Sequence, residues 1–241
     1  MSNKLKLFLG ISYLLILFTF LYFIFFQVEI TRLNDFSYYK ELQVNIDGLI
    51  GNNLYINLLI FFVFSTVWVA LLGFGSPLLI TSGILFGKWV GTFISVASIS
   101  LGTLILYTIA SFFCKDFINK LLEKKFSKYI SLFNKNEFYY FFIFRLIGGL
   151  GLPFPLQNTL PVIFNMKKKN YFVASFLGFI PHSFIWSTVG DGINKFIKQS
   201  DSFSFVNLIL SKEIYLPIAF FIIFILISLV IKNFFFDVRN K

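Results

Sequence analysis

Five predominantly apolar runs punctuate this chain: Leu7 to Val28, Tyr55 to Leu72, Ser95 to Phe113, Tyr171 to Val189 and Ile214 to Ile231. Each reaches the ~18 to 20 residues that a helix needs to cross the hydrocarbon core of a bilayer. Water is absent at that depth, so a crossing segment must satisfy its own backbone polar groups, and a helix does this within one segment. The pattern therefore predicts an all-α integral membrane protein with about five transmembrane helices. Composition agrees, because 57% of the 241 residues are hydrophobic and only 13% are charged, more apolar surface than a soluble core of this size hides. The first run lacks a small-residue cleavage pattern and is long for a signal-peptide core, so it reads as a retained helix.

The net charge of +10 would suggest nucleic acid in a soluble protein. Here the lysines sit in loops between apolar runs, with no base-stacking platform or groove-reading motif, so nucleic acid is not an expected partner. Membrane lipids with anionic or phosphate-bearing headgroups are the expected counter-charge. Cys114 is the single cysteine, which gives neither an intramolecular disulfide nor a metal site, and no cofactor or metal is expected. Positive-inside counting places the Lys115 to Lys135 segment, Lys167 to Lys169 and the Lys232 to Lys241 tail in the cytoplasm.

Two segments are broken in a way that plain spans are not. The Tyr55 run leads into Gly73-Phe74-Gly75-Ser76-Pro77, and the apolar piece that follows, Leu78 to Phe86, is too short to cross. Gly87-Lys88 then reads as a return to the interface, which makes a re-entrant hairpin; the alternative is one span kinked at Gly87 with Lys88 snorkelling. The run Phe138 to Leu152 breaks at Gly148 to Pro155, resumes through Leu156 to Phe164 and emerges at Lys167. This is a second re-entrant candidate. Gly75-Ser76-Pro77 and Gly151-Leu152-Pro153 lie 76 residues apart, as do Gly102 and Gly178 in the runs that follow. The spacing suggests an internal repeat whose hairpins enter from opposite faces, the inverted design that places a transport site near the midplane. Between the halves, Lys115 to Lys135 alternates apolar residues with lysines, as an interfacial amphipathic helix or a basic connector would.

Arg145 stands inside the second broken segment, away from the nearest flanking charge at Glu137. An arginine at such depth costs roughly 2.5 to 3.5 kcal/mol on insertion scales, so it faces a protein interior or wet cavity and marks a pathway. Its guanidinium could hold a phosphate by bidentate hydrogen bonds, or neutralise the carbonyls of the short helix that ends beside it. Pro153, Pro155 and Pro77 remove backbone donors and break the helices, and Ser76 adjoins the first break. Asn158 and Gln157 follow Pro155 as pathway-lining groups or as capping and interhelical glue. His182, after Pro181, is a proton shuttle or a structural histidine, and Asp191, between two glycines, is a coupling carboxylate or part of a turn. Motifs of hydrolases, phosphate-binding loops and zinc proteases are absent from the sequence, so an enzyme is not expected.

These residues resemble the VTT-domain family, the SNARE-associated Golgi proteins of the DedA superfamily. The resemblance covers roughly Gly73 to Gly192 and rests on Gly75-Ser76-Pro77 with Gly83, Phe86, Gly87 and Gly91. Its second part is Phe144-Arg145-Leu146, then Pro153-Phe154-Pro155 and Asn158, with Phe172, Gly178, Pro181 and Gly190 downstream. The chain departs from the family pattern in the stretched spacing between Arg145 and the prolines, and in lacking the acidic residue that many DedA-branch members carry in the first hairpin. The resemblance implies two inverted re-entrant hairpins and lipid movement across a bilayer, as a phospholipid scramblase or an undecaprenyl-phosphate flippase.

The expected organisation is an N-terminal transmembrane helix and polar loop over 1–54, a VTT/DedA-like core over 55–213, and a C-terminal transmembrane helix with basic tail over 214–241. The expected function is transport of a phosphate-bearing lipid in a bacterial inner membrane, with Arg145, Asn158, Pro153, Pro155, Pro77 and Ser76 at the substrate and His182 or Asp191 as coupling groups. The alternative is a non-transporting membrane scaffold. An oligomer is compatible with either.

Overall fold

In the computed structural model of the protein, the residues described are 36–71, 75–113, 135–199 and 205–236, with Phe133 and six positions between Ile11 and Tyr22. Most of the first apolar run, Cys114 and nearly all of the Lys115 to Lys135 segment lie outside them. Among the described residues the chain is helical, with no strand. Two compact units divide it, Met1–Leu42 and Gln43–Lys241. In the first, the described positions between Ile11 and Tyr22 are helical, and helix α1 (Phe36–Asn52) begins before the unit ends.

The second unit carries the remaining helices: α2 (Leu54–Ala70), α3 (Gly75–Phe113), α4 (Glu137–Leu146), α5 (Phe154–Thr159), α6 (Lys168–Gln199), α7 (Phe205–Leu210) and α8 (Lys212–Phe236). By length and composition α3 and α6 can cross a membrane. Large apolar side chains such as Val63, Val67, Trp89, Phe93 and Leu177 are exposed, a surface that suits contact with lipid.

Two helical hairpins organise this unit. Phe61 and Phe86 meet edge to face at 5.5 Å, so α2 and the first part of α3 run antiparallel. At Gly87 the chain reverses again. Gly87 takes φ 73° and ψ 171°, outside helical space and in the left-handed half that a side chain disfavours. Four residues later, Gly91 lies so near Ser82 that a Cβ would sit 2.6 Å from the Ser82 carbonyl oxygen. In one straight helix those residues would stand ~13 Å apart. The chain thus doubles back at Gly87 and does not continue there as one straight helix. In the second hairpin the Glu137 carboxylate accepts from the Lys167 N–H at 3.2 Å and from Asn170 Nδ2 at 2.7 Å, closing the base. A 3₁₀ turn over Gly148–Gly151 forms its tip, with Gly148 and Gly149 at φ 72° and 67°. The return arm is α5 followed by a 3₁₀ turn, Leu160–Val162, rather than one apolar piece from Leu156.

The suspected repeat is visible as matching contacts. A Cβ on Gly102 would meet Thr66 and Val69 of α2, and one on Gly178 would meet Phe142 and Arg145 of α4. Each of these positions is displaced by 76 residues from its counterpart: 66 to 142, 69 to 145 and 102 to 178. Each long helix thus packs through a glycine on the first arm of its own hairpin. Each return arm instead reaches the other half. Gly83 meets the Ser187 backbone on α6, while Tyr107 Oη on α3 donates to the Met166 carbonyl at 2.7 Å. The reciprocity is what a two-fold relation between the halves requires. The tips approach each other as well, with Gly75 against the Phe154 ring.

Gly190-Asp191-Gly192 is not the turn expected from its sequence. α6 continues through it to Gln199. A Cβ on Gly190 would lie 2.0 Å from the Ile80 carbonyl, and one on Gly192 would lie 2.5 Å from the Glu213 carbonyl. These glycines serve close helix contact, which local sequence cannot distinguish from turn chemistry.

Candidate functional site

Arg145 lies in the last turn of α4, where Gly178 lets α6 approach the stem of its side chain. It is 2% exposed. Nε donates to Ser175 Oγ at 3.2 Å, and Nη2 donates to Asn158 Oδ1 at 2.6 Å and Tyr171 Oη at 2.8 Å. Three rings surround the guanidinium, with centroids at 4.7 Å (Phe141), 4.8 Å (Phe179) and 5.5 Å (Tyr171), a cation–π environment worth most when desolvated. None of these bonds reaches a carbonyl of α4, so the guanidinium does not cap the helix that carries it.

Two features make the site unusual. No carboxylate faces the charge among the described residues, and Nη1 is buried with no hydrogen-bond partner. A buried, incompletely satisfied cation is costly, and such a group is retained where something else completes its shell. Asn170 and Asp191 mark polar clusters near the two ends of α6 and are 21 residues apart, ~31 Å, the length a helix needs to cross a hydrocarbon core. Ser175 and Gly178, which flank Arg145, therefore lie within ~8 Å of the midpoint.

The structure gathers part of the expected residue set. Asn158 is fully buried beside Arg145, its amide braced by donation from Nδ2 to the Phe154 carbonyl at 2.8 Å. Pro153 caps α5 and is exposed, as are Ser76 and Pro77, while Pro155 is half-buried. These four line the hairpin tips rather than touch the guanidinium. Gln157 bonds back to the Leu152 carbonyl at 2.6 Å and holds the tip closed. His182 stands apart, beside Trp186 at 6.2 Å and Phe221 at 5.7 Å between ring centroids. Asp191 is paired with Lys195 at 2.8 Å near the far end of α6. Neither enters the arginine site. Among the described residues no group of three or more His, Cys, Asp or Glu forms a metal site.

Sequence reasoning missed Ser175, Tyr171, Phe141 and Phe179. The available signal was helical spacing: Tyr171, Ser175 and Gly178 follow one another at i, i+4 and i+7 on one face of α6, and Phe141 precedes Arg145 by one turn. Val69 takes the place of Arg145 in the first half, so the site exists in one half of the repeat only.

A membrane protein of two hairpin-and-helix halves, with a buried arginine under the tip of one hairpin, is of the DedA type. The VTT domain matches residues 72–192, about half the chain, and the protein belongs to that family, the SNARE-associated Golgi proteins of the DedA superfamily. No solved structure matches the chain.

Proposed function

We propose that this protein moves a phosphate-bearing lipid, a phospholipid or undecaprenyl phosphate, between the leaflets of a bacterial inner membrane, without covalent chemistry. The hairpins insert as inverted re-entrant elements, and the lipid headgroup passes their facing tips. The observation that carries this reading is the buried Arg145 guanidinium, which no carboxylate faces among the described residues and whose Nη1 has no hydrogen-bond partner. A phosphate oxygen supplies the missing acceptor and charge, and Arg is suited to it by its planar fork of donors. Access requires the second hairpin to part from α6. Gly148, Gly149 and the exposed Pro153 supply a tip that can hinge. Asn158 holds Nη2 in register while Nη1 takes the phosphate.

A scaffold role is the second reading, favoured by the ring cage and the hydrogen bonds that brace Arg145 between α4, α5 and α6. Reconstitution into liposomes separates the two. The protein should expose inner-leaflet fluorescent phospholipid to an impermeant external quencher, and should leave a fluorescent neutral glycolipid with the same chains protected. Protection of both lipids by correctly folded protein would favour the scaffold.

A further inference from the structure

A groove of about 710 Å³ runs between α6 and α8, and its two ends differ in chemistry. None of the groups around Arg145 lines it. At its mouth stand Lys88, Lys195 and Lys212 with Asp191 and Glu213. Lys195 is satisfied by Asp191, whereas Lys88, Lys212 and Glu213 make no ion pair among the described residues. Three ammonium groups therefore face two carboxylates, an excess of one positive charge; Lys88 and Lys212 are held by no ion pair, Lys88 lying over the Trp89 ring at 5.8 Å. Deeper in, the wall is apolar, with Phe184 from α6 and Leu216, Phe220, Ile223 and Ile227 from α8. Lys212 and Ile227 are 15 residues apart on one helix, ~22 Å, about the depth of one leaflet with its headgroup region. A cationic mouth over an apolar channel one leaflet deep has the form of a single lipid molecule.

We propose that this groove holds one anionic glycerophospholipid of the adjoining leaflet, its phosphate between Lys88 and Lys212 and an acyl chain along α8. Lysine ammonium groups act on the phosphate as point charges. Lipid-facing apolar surface alone would take any chain, so selectivity rests on Lys88 and Lys212, which no carboxylate pairs among the described residues. Residence in this groove is a separate property from movement past Arg145, and either can exist without the other.

Native mass spectrometry of the full chain, stripped of lipid and titrated with phosphatidylglycerol or with phosphatidylcholine of the same chains, tests the proposal. The native protein should take up one phosphatidylglycerol in preference to phosphatidylcholine. A K88Q/K212Q variant should bind phosphatidylglycerol about thirtyfold more weakly, the loss expected for two lysines at a lipid phosphate. Ile223→Trp, which fills the channel, should weaken both lipids. Unchanged phosphatidylglycerol affinity in K88Q/K212Q, or uptake of many equivalent lipids with no preferred first one, overturns the proposal. So does loss of the bound lipid on Arg145→Ala in a folded protein, because the groove would then not be a separate site.

Discussion

Gly178→Ala and Gly102→Ala offer a matched pair of perturbations, since the two glycines occupy equivalent places in the halves. An alanine Cβ at 178 would stand 2.5 Å from Arg145 Cβ, and one at 102 would stand 2.7 Å from Val69 Cβ. Carbon atoms rest at ~3.5 to 4.0 Å, so each substitution must push its helix pair apart by ~1 Å. Overpacking of this kind costs about 1 to 3 kcal/mol, and the better helix propensity of alanine returns ~1 kcal/mol. Both variants should therefore lose about 0 to 2 kcal/mol, a drop of a few degrees in thermal unfolding in detergent. Their functional effects should diverge. At 178 the displacement loosens the Nε bond to Ser175 and the contacts that hold Arg145 in place, whereas at 102 it presses on Val69 and the Thr66 carbonyl of α2. Gly178→Ala should impair lipid movement in liposomes, and Gly102→Ala should retain it at equal folded amounts. Equal translocation by the two variants would refute the reasoning that ties Arg145 geometry to transport.

Asn158→Asp places a carboxylate against Nη2 at the distance where Oδ1 now accepts a hydrogen bond. The new charge pair opposes the loss of the Nδ2 donation to the Phe154 carbonyl, so the fold should persist with little net change in thermal stability, while lipid movement falls sharply because an internal anion occupies the arginine. Tyr107→Phe removes the bond that ties α3 to the return arm of the second hairpin. Leaving the Met166 carbonyl without it should cost about 1 to 2 kcal/mol in denaturation measurements. His182→Phe keeps the aromatic packing beside Trp186 and Phe221, and should leave both the rate of lipid movement and its pH profile unchanged in liposomes.

Local breaks were legible in the sequence because glycine and proline act on their own backbone. Gly73 to Pro77 and Gly148 to Pro155 signalled hairpin tips, and the spacing of 76 residues between Gly102 and Gly178 signalled equivalent helix contacts. Contacts between distant residues were not legible. Gly190 and Gly192 suggested a turn, because nothing nearby in sequence reveals that the Ile80 and Glu213 carbonyls press against them. Arg145 stood out because a charge in an apolar run is anomalous by itself. Its partners Ser175 and Tyr171 are ordinary membrane-helix residues until α4 and α6 are brought together by Gly178. Asn158 was suspected for its place after Pro155, yet its bond to Arg145 depends on how the hairpin closes.

The most direct test of Arg145 as the headgroup contact compares native protein with Arg145→Ala, Arg145→Lys and Arg145→Gln. Each is reconstituted at equal folded amounts, and exposure of inner-leaflet fluorescent phospholipid to an impermeant quencher is measured. The phosphate-contact account predicts loss of movement with Ala and Gln and partial retention with Lys, which keeps the charge but not the fork of donors. Native-level movement by Gln, or by Ala and Lys alike, would contradict it and leave Arg145 as a structural brace.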